Sequence, residues 1–396
     1  MTDTVLCINA GSSSLKFKLF EALADGGLSV SIEGQLDGIG VKPHLKATDG
    51  AARSLADRQL SPAEAPDTGA AVPMLLQWLR DQLNGVMPVV IGHRVVFGGT
   101  RYAAPVRIDD AVLAELRALV PMMPLHLPPE LAPIEAIRAR LPDLPQVAVF
   151  DTGFHRGHDE VFERLPLPDA YYREGLRRYG YHGISYEYIA QRLPAAAPDI
   201  ADGRVVVAHL GSGCSMAALV GGRSVETTMS FSALDGLTMG TRPGRLDPGV
   251  VLYLFQVKGM SAKAVEDLLY KESGLKGLSG ISNDVRALLE SEDARAKIAL
   301  DYFSLSCARA VAELATVMGG IDGLVFTAGV GEHAAPVRGA IGARLAWLGL
   351  EIDAAANARH GPRISAAQSR IACYVIPTNE ELMMARHALA LVRSRA

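Results

Sequence analysis

The chain has 396 residues, 49% hydrophobic and 21% charged, which is typical of a globular protein and excludes a disordered or fibrous one. This length predicts two domains, because single hydrophobic cores stop growing well below it. The net charge of −4 argues against nucleic acid as the main partner, whereas a small anion needs only a few local cations.

Targeting segments and cysteine patterns exclude further classes. The N-terminal MTDTVLCINA lacks the charged and apolar regions of a signal peptide, and no apolar run reaches the length of a membrane span. We therefore expect a cytoplasmic protein that does not use the membrane. Cys7, Cys214, Cys307 and Cys373 are far apart without CxxC spacing, which predicts buried thiols and no disulfide or zinc site.

The first predicted element is a hairpin in VLCINAGSSSLKFKLF, Val5 to Phe20. A P-loop would need glycine directly before the lysine, Ser or Thr after it, and then a helix. Here Leu15 and Phe17 flank Lys16, and apolar and basic residues alternate as in a half-buried strand. The small turn residues leave backbone N–H groups uncovered beside a positive charge. The turn is therefore either an ordinary hairpin turn or a phosphate site.

Extended and helical patterns alternate along the next segments. Residues 48–70 are rich in Ala, Asp, Pro and Ser without periodicity, which predicts an exposed loop. The apolar strands PVVIGHRVV and QVAVFDTGF enclose a helix predicted from Asp110 to Val120. This alternation predicts an α/β protein.

An internal repeat begins at Arg204. RVVVAHLGSGCSMAALVGGRSVETTMSF predicts a strand, a small-residue turn, a second strand and a Gly-Gly turn into a third strand, in the order of the first 34 residues. Its segment VVVAHLGSGCSMA looks like a dinucleotide fingerprint, but that fingerprint must open a helix and strands are predicted here. The repeat predicts two duplicated domains whose glycine-rich turns face each other across a cleft.

Charged residues at the ends of apolar strands indicate the candidate site, because α/β proteins bind ligands there. Arg94 in GHRVVFGG is either a ligand-binding arginine or part of a structural ion pair. Asp151 in FDTGFH is either a functional carboxylate or a cap. His182 precedes an amphipathic helix, and Arg242 and Arg245 lie in a glycine-rich loop suited to oxyanions.

A predicted helix start near the C-terminus supplies a further acid. TNEEL reads as a capping box formed by Thr378 and Glu381, which leaves Glu380 outside the cap. Glu380 is then either an ordinary first-turn acid or a magnesium ligand.

Two more segments predict nucleotide contacts. In GISNDVRALL, Ser282 is the predicted helix cap, with Asp284 in the first turn and Arg286 after it. FTAGVGEH predicts a strand running into Gly329 and Gly331, where the backbone can approach a ligand closely.

These stretches together resemble the acetate kinases, within the superfamily of acetate and sugar kinases, heat-shock chaperones and actin. The matching motifs occur in the family's order across residues 5–382: INAGSSSLKF, GHRVV, PLHLP, FDTGFH, RYGYHG, HLGSGCS, TMGTR, SNDVR, FTAGVGE and TNEEL. The resemblance implies two ribonuclease H-like domains with mixed sheets flanked by helices, residues 1–151 plus 384–396 and residues 152–383, with the active site in the interdomain cleft.

The resemblance also implies an activity and its partners. The expected protein is a homodimer that transfers phosphate reversibly between ATP and acetate, or another short carboxylic acid, by direct in-line transfer. Magnesium is the implied metal, with manganese as an alternative. An actin- or chaperone-like ATPase on the same fold is the competing class, but such a protein would lack a second acceptor-site arginine.

Site residues are carried over from the resemblance position by position. The metal-associated positions match Asn9 and Glu380. The catalytic positions match Asp151, Arg94, Arg242 and His182. The acyl-binding positions match Arg94, Val96, Leu125, Tyr181 and Ala233. The nucleotide-binding positions match Lys16, Ser14, His209, Leu210, Gly211, Ser212, Gly213, Asp284, Val285, Arg286, Gly329, Val330, Gly331, Glu332 and His333.

A carboxylic acid as phosphate acceptor agrees with this set of site residues. A short carboxylic acid is already ionised at neutral pH, so the reaction needs cations rather than a base. We therefore expect Asp151 to orient an arginine or the metal. Several positions depart from the family's usual residues: Ser212, Tyr181, Leu127, Ala233, Arg245 and His333.

The departures leave the acyl substrate open. Ala233 in place of proline enlarges the predicted pocket, and the Tyr181 hydroxyl adds a polar atom. We expect acetate to be accepted and propionate tolerated, because one methylene changes discrimination by only about 1–3 kcal/mol. Arg245 offers an alternative role, recognition of a second acyl charge.

Overall fold

The computed structural model describes residues 3–394. It divides them into two compact units, the first running to Phe154 and resuming at Asn379, the second spanning His155–Thr378. No helix among residues 3–394 is long and apolar enough to cross a membrane. All four cysteines are buried free thiols, as predicted.

The helices are numbered in chain order. In the first unit they are α1 (Thr68–Gln82), α2 (Asp110–Ala118) and α3 (Leu127–Arg140). The second unit carries α4 (Glu160–Glu163), α5 (Asp169–Arg173), α6 (Gly183–Ala196), α7 (Pro248–Gln256), α8 (Ala262–Lys271), α9 (Gly274–Ser279), α10 (Val285–Glu290), α11 (Ala294–Val317), α12 (Ala328–His333), α13 (Ala335–Arg344) and α14 (Ala354–Ala358). The last helix, α15 (Glu380–Arg393), returns to the first unit.

The first unit is built on an eight-stranded mixed sheet. Its strands are β1 (Thr4–Ala10), β2 (Ser14–Ala22), β3 (Leu28–Asp37), β4 (His44–Asp49), β5 (Ser54–Gln59), β6 (Val90–Val95), β7 (Val106–Arg107) and β8 (Gln146–Phe150). Their order across the sheet is β5-β4-β3-β2-β1-β6-β8-β7. The first five form an antiparallel meander, and β6 and β8 run parallel to β1.

Helices cover the central strands of this sheet. α3 packs against α1, β1 and β6, and α15 packs against β1, β6 and β8. The alternation predicted for the hairpin is confirmed, because Leu15, Phe17 and Leu19 are buried while Lys16 and Lys18 are not. Each fully buried side chain of this size stabilises the fold by about 1.5–3 kcal/mol.

The second unit repeats the central part of the first. Its strands are β9 (Arg204–Leu210), β10 (Cys214–Val220), β11 (Arg223–Thr227), β12 (Gly323–Thr327) and β13 (Ala372–Val375). Their order, β11-β10-β9-β12-β13, equals β3-β2-β1-β6-β8 in strand sequence and direction. The predicted duplication is therefore confirmed. A strand, not a helix, follows the GSGC turn, so the dinucleotide fingerprint is excluded.

Part of the predicted loop 48–70 is wrong, because β5 (Ser54–Gln59) lies inside it and pairs with β4. Leu55 and Ala56 pack partly buried against the core of the unit. The strand is at the sheet edge and mostly solvent-exposed, so its polar residues carry no alternating signal.

Both predicted helix caps are displaced along the chain. Asn379, not Thr378, caps α15, and its Oδ1 accepts the Leu382 N–H at 3.1 Å. Asp284, not Ser282, caps α10 by accepting the Arg286 N–H at 2.9 Å. In each case another residue of a type that caps helices follows the predicted one closely. The backbone conformation decides which of the two is the N-cap.

Candidate active site

In the first unit, the turn between β1 and β2 is held by its own backbone. The Gly11 N–H donates to the Ser14 carbonyl at 2.7 Å. Asn9 and Lys16 lie directly opposite each other in the register of the two strands. Directly opposed residues share a face of the sheet, so the hairpin presents an amide and an ammonium side by side.

Arg94 at the end of β6 is held by the carboxylate that follows β8. Its Nε donates to Asp151 Oδ1 at 3.2 Å, and its Nη2 donates to Asp151 Oδ2. Its Nη1 lies 3.5 Å from Asn9 Oδ1. Asp151 is 1% exposed and Arg94 19%. The ion pair is therefore present, and the guanidinium remains partly accessible, so the ligand-binding role of Arg94 stays a prediction.

Three carboxyl groups act on this guanidinium. Burial opposes its charge, but Asp151, Glu380 and Glu130 together raise the pKa of Arg94. Burial raises the pKa of Glu380 to about 7, with Arg94 opposing and Asp151 adding to the rise. In the first unit, three carboxyl groups thus act on a single arginine.

Sequence reasoning did not identify Glu130. Its Oε2 accepts the Val96 N–H at 2.9 Å, and its Oε1 lies 3.8 Å from Arg94 Nη1. The side chain is 4% exposed on α3. A glutamate in the proline-rich start of a helix resembles an ordinary first-turn acid, and only its burial shows otherwise.

The predicted acyl-pocket residues of the first unit lie around this helix. Val96 follows β6 and is 4% exposed. Leu125 lies in the turn before α3 and is partly buried. Leu127, which departs from the family's asparagine, is fully buried as the first residue of α3, so it contributes to the core.

In the second unit, two histidines stack. The rings of His182 and His209 lie 4.2 Å apart with planes 14° from parallel. His182 Nδ1 is 2.8 Å from Ser215 Oγ, and His209 Nδ1 is 2.9 Å from Ser185 Oγ. His182 itself has φ +60° at the start of α6, a conformation that side chains other than glycine rarely adopt.

Arg242 lies beside the same histidine and the small-residue turn. A side chain on Gly213 would approach His182 Nε2 to 3.4 Å and Arg242 Nη1 to 3.7 Å, so glycine leaves room there. Arg242 Nη1 donates to the Ala233 carbonyl at 3.0 Å. The structure therefore brings together five of the predicted site residues: His182, His209, Gly213, Ala233 and Arg242.

The Tyr181 hydroxyl is hydrogen-bonded. Its ring is 1% exposed, and its O–H donates to the Phe231 carbonyl at 2.6 Å. The departure from phenylalanine therefore adds a satisfied polar group rather than an unpaired one.

Arg245 does not share the surroundings of Arg242. Its Nη2 donates to both carboxylate oxygens of Glu313 on α11, at 2.9 Å and 2.7 Å. This partner weighs against the alternative in which Arg245 reads a second acyl charge.

The strand predicted to run into Gly329 and Gly331 is confirmed as β12, and the glycine-rich segment after it forms α12 (Ala328–His333). Arg338 is fully buried beneath it and donates to the carbonyls of Gly331 and Glu332, both at 2.9 Å. A Cβ on Gly211 would lie 3.8 Å from the Ala328 side chain, so the turn after β9 adjoins this helix.

Of the remaining nucleotide candidates, Asp284, Arg286, His333 and Ser212 lie at the surface, whereas Val285 is buried. Asp284 and Arg286 pair with each other at 2.8 Å, with the arginine 85% exposed. His333 is 75% exposed at the end of α12. Ser212 is exposed in the turn, and Val285 begins α10. Their role stays a prediction.

Comparisons with known proteins identify the class. The acetate kinase of Nitrobacter hamburgensis is 52% identical to this chain, over 100% of this chain and 97% of its own length. The acetate kinase of Rhizobium meliloti is 50% identical, over 98% of both chains. A propionate kinase structure from Francisella tularensis has a TM-score of 0.91 at 34% identity, covering 98% and 99% of the two chains. The Porphyromonas gingivalis acetate kinase structure has a TM-score of 0.86 at 33% identity, covering 98% and 100%.

The fold and these relatives define the chain as a kinase with two α/β units of repeated topology. The sequence model of the acetokinase family matches residues 4–386. The chain belongs to that family. Phosphorylation of acetate, with ATP and ADP as co-substrates, is the family's function.

Proposed function

We propose that the chain phosphorylates acetate with ATP to acetyl phosphate and ADP, reversibly and by direct in-line transfer. The supporting observation is the Arg94–Asp151 pair, a cation fixed at the end of a strand yet partly accessible. Acetate is already ionised and needs no base. Its binding instead requires a fixed cation that still has N–H donors available for the carboxylate.

The proposed roles draw on both units. Arg94 and Arg242 bind the acyl carboxylate and the transferring phosphoryl group, and His182 donates to the charge that develops between them. Asp151 acts as a positioning residue, because its two oxygens fix the Nε and Nη2 edge of Arg94. The acyl group is held by Val96, Leu125, Tyr181 and Ala233.

The proposed nucleotide site uses the two small-residue turns. Ser14 and Lys16 of the first unit and residues 209–213 of the second bind the phosphates, since uncovered backbone N–H groups suit anions. Residues 284–286 and 329–333 hold adenosine. The backbone support that Arg338 gives α12 is consistent with a fixed nucleotide wall.

Magnesium, or manganese in its place, fits the first unit's acid-rich cluster. No group of three or more His, Cys, Asp or Glu side chains placed for a metal occurs among residues 3–394. Mg²⁺ does not require one, because it takes one or two protein ligands plus waters and substrate phosphates. Asn9 and the partly buried Glu380 would hold it. It would neutralise charge on the nucleotide phosphates.

We further propose a cytoplasmic homodimer, with residues 1–151 plus 384–396 and 152–383 as its catalytic domains. Support comes from α7, none of whose residues is buried although it is strongly apolar. Val250, Leu252, Tyr253 and Phe255 are each at least 40% exposed, and large apolar side chains exposed on one helix fit burial against a partner copy.

A hydroxamate assay tests the proposed reaction. With ATP, magnesium and acetate, the protein is expected to form acetyl phosphate, which hydroxylamine traps as the hydroxamate. ADP release that is independent of acetate and yields no hydroxamate would instead indicate an ATPase and overturn the proposal.

A further inference from the structure

Glu130 occupies a position that the proposed mechanism leaves without a role. Its Oε2 accepts the N–H of Val96, and its Oε1 faces Arg94 Nη1 at 3.8 Å. One carboxyl group thus touches both the proposed acyl-pocket wall and the proposed acyl-binding arginine. A glutamate that served only to begin a helix would be exposed, whereas this one is 4% exposed.

The two edges of the Arg94 guanidinium are unequally committed. Nε and Nη2 are taken by Asp151, which leaves Nη1 toward Asn9 and Glu130. An incoming carboxylate must therefore bind Arg94 beside Glu130. An ionised Glu130 would compete for the same nitrogen and repel the substrate, whereas a neutral one would do neither.

The local charge balance supports the neutral form. Arg94 gives one positive charge beside Glu130, and Asp151 and Glu130 give two negative charges if both are ionised. Burial raises the pKa of Glu130 to about 8, with Arg94 and the Val96 N–H opposing and Asp151 adding to the rise. Among residues 3–394, Arg94 from β6 and Asp151 after β8 are the charged groups that act on it. The charged side chains of α1 and α2, which also pack on α3, do not.

We propose that Glu130 is a positioning residue that fixes Val96 and Arg94 relative to each other and must carry a proton for the acyl carboxylate to bind. The inference rests on the proposed function, because it assumes that Arg94 receives the acid. The proton stays on Glu130 throughout, and no bond to substrate is formed. The effect falls on acid binding, not on nucleotide binding.

The test is the pH dependence of KM for acetate in wild type, Glu130→Gln and Glu135→Gln. In wild type, KM is expected to rise roughly tenfold between about pH 7 and about pH 9 as Glu130 ionises, with KM for ATP and kcat little changed. Glutamine keeps an acceptor for the Val96 N–H but cannot ionise, so its KM is expected to stay flat. Glu135, on the same helix but 40% exposed, is the matched control and should follow wild type.

A second measurement needs no variant. Calorimetric titration of wild type with acetate, in the presence of magnesium and ADP, is run in buffers of different ionisation enthalpy. Uptake of roughly three quarters of a proton per acetate is expected at about pH 8.5, and almost none at about pH 6.5. Absence of uptake at the higher pH, or a KM rise that persists in Glu130→Gln, would overturn the inference alone. Failure of wild type to form acyl phosphate would instead overturn the proposed function, and the inference would fall with it.

Discussion

His182 and His209 stack at 4.2 Å, and a serine hydroxyl fixes the Nδ1 atom of each ring. The stack joins the end of β9 to the start of α6, the helix that directly precedes β9 in the chain. It aligns two rings that carry proposed roles, so the serines become testable supports of the reaction.

Ser215→Ala should impair turnover more than binding. Its Oγ contacts both His182 Nδ1 and the Tyr186 hydroxyl, the latter at 2.5 Å. We expect kcat to fall about tenfold, because the ring loses its fixed orientation, with little change in either KM. Loss of the Ser215–Tyr186 hydrogen bond should also lower the free energy of unfolding by about 1 kcal/mol.

Tyr186→Phe is the control for that variant, because it also removes the Ser215–Tyr186 hydrogen bond but keeps the Ser215–His182 contact. Steady-state kinetics and denaturant unfolding of both variants separate the two effects. Equal kcat values in the two variants would show that orientation by Ser215 has no part in turnover.

The sequence predicted the elements whose patterns are local. The alternation of Leu15, Phe17 and Leu19 and the repeated meander at Arg204 gave the hairpins and the duplicated strand order. Strand-end charges likewise indicated Arg94 and Asp151, because parallel neighbours bring their ends together.

What the sequence could not show depends on long-range packing. β5 is an edge strand without alternation, and the cap of α15 depends on where the chain turns into the helix. Glu130 was missed for the same reason, since its burial and its contact with Arg94 arise between α3 and β6, 36 residues apart in sequence.

Arg338 should affect nucleotide binding selectively. It is fully buried and donates to the Gly331 and Glu332 carbonyls and to Asn357. Arg338→Met removes the donors and leaves those carbonyls unpaired, so α12 loses its support. We expect KM for ATP to rise about tenfold and KM for acetate to change little.

Arg344→Met, on the same helix but 37% exposed at its side chain, is the matched control and should bind ATP normally. A rise in KM for acetate alone, in the Arg338 variant, would contradict a role of α12 in the nucleotide site.

The acyl range should be narrow. Tyr181 and Ala233 are both buried, and the tyrosine hydroxyl is already engaged by the Phe231 carbonyl. We expect kcat/KM to be highest for acetate, about tenfold lower for propionate and lower again for butyrate. Measuring the three acids side by side tests this order, and a preference for butyrate would contradict it. A dicarboxylic acid in the same assay should be a poor substrate, because Arg245 is engaged by Glu313.

The measurement closest to the central claim is hydroxamate formation by Arg242→Ala. Arg242 is expected to bind substrate charge beside His182 and Gly213, so its loss should lower turnover about a hundredfold to a thousandfold, as removal of an oxyanion donor does. Arg245→Ala, three residues along the loop and paired with Glu313, should retain wild-type turnover. Retention of more than about a tenth of the wild-type rate by Arg242→Ala would contradict the account.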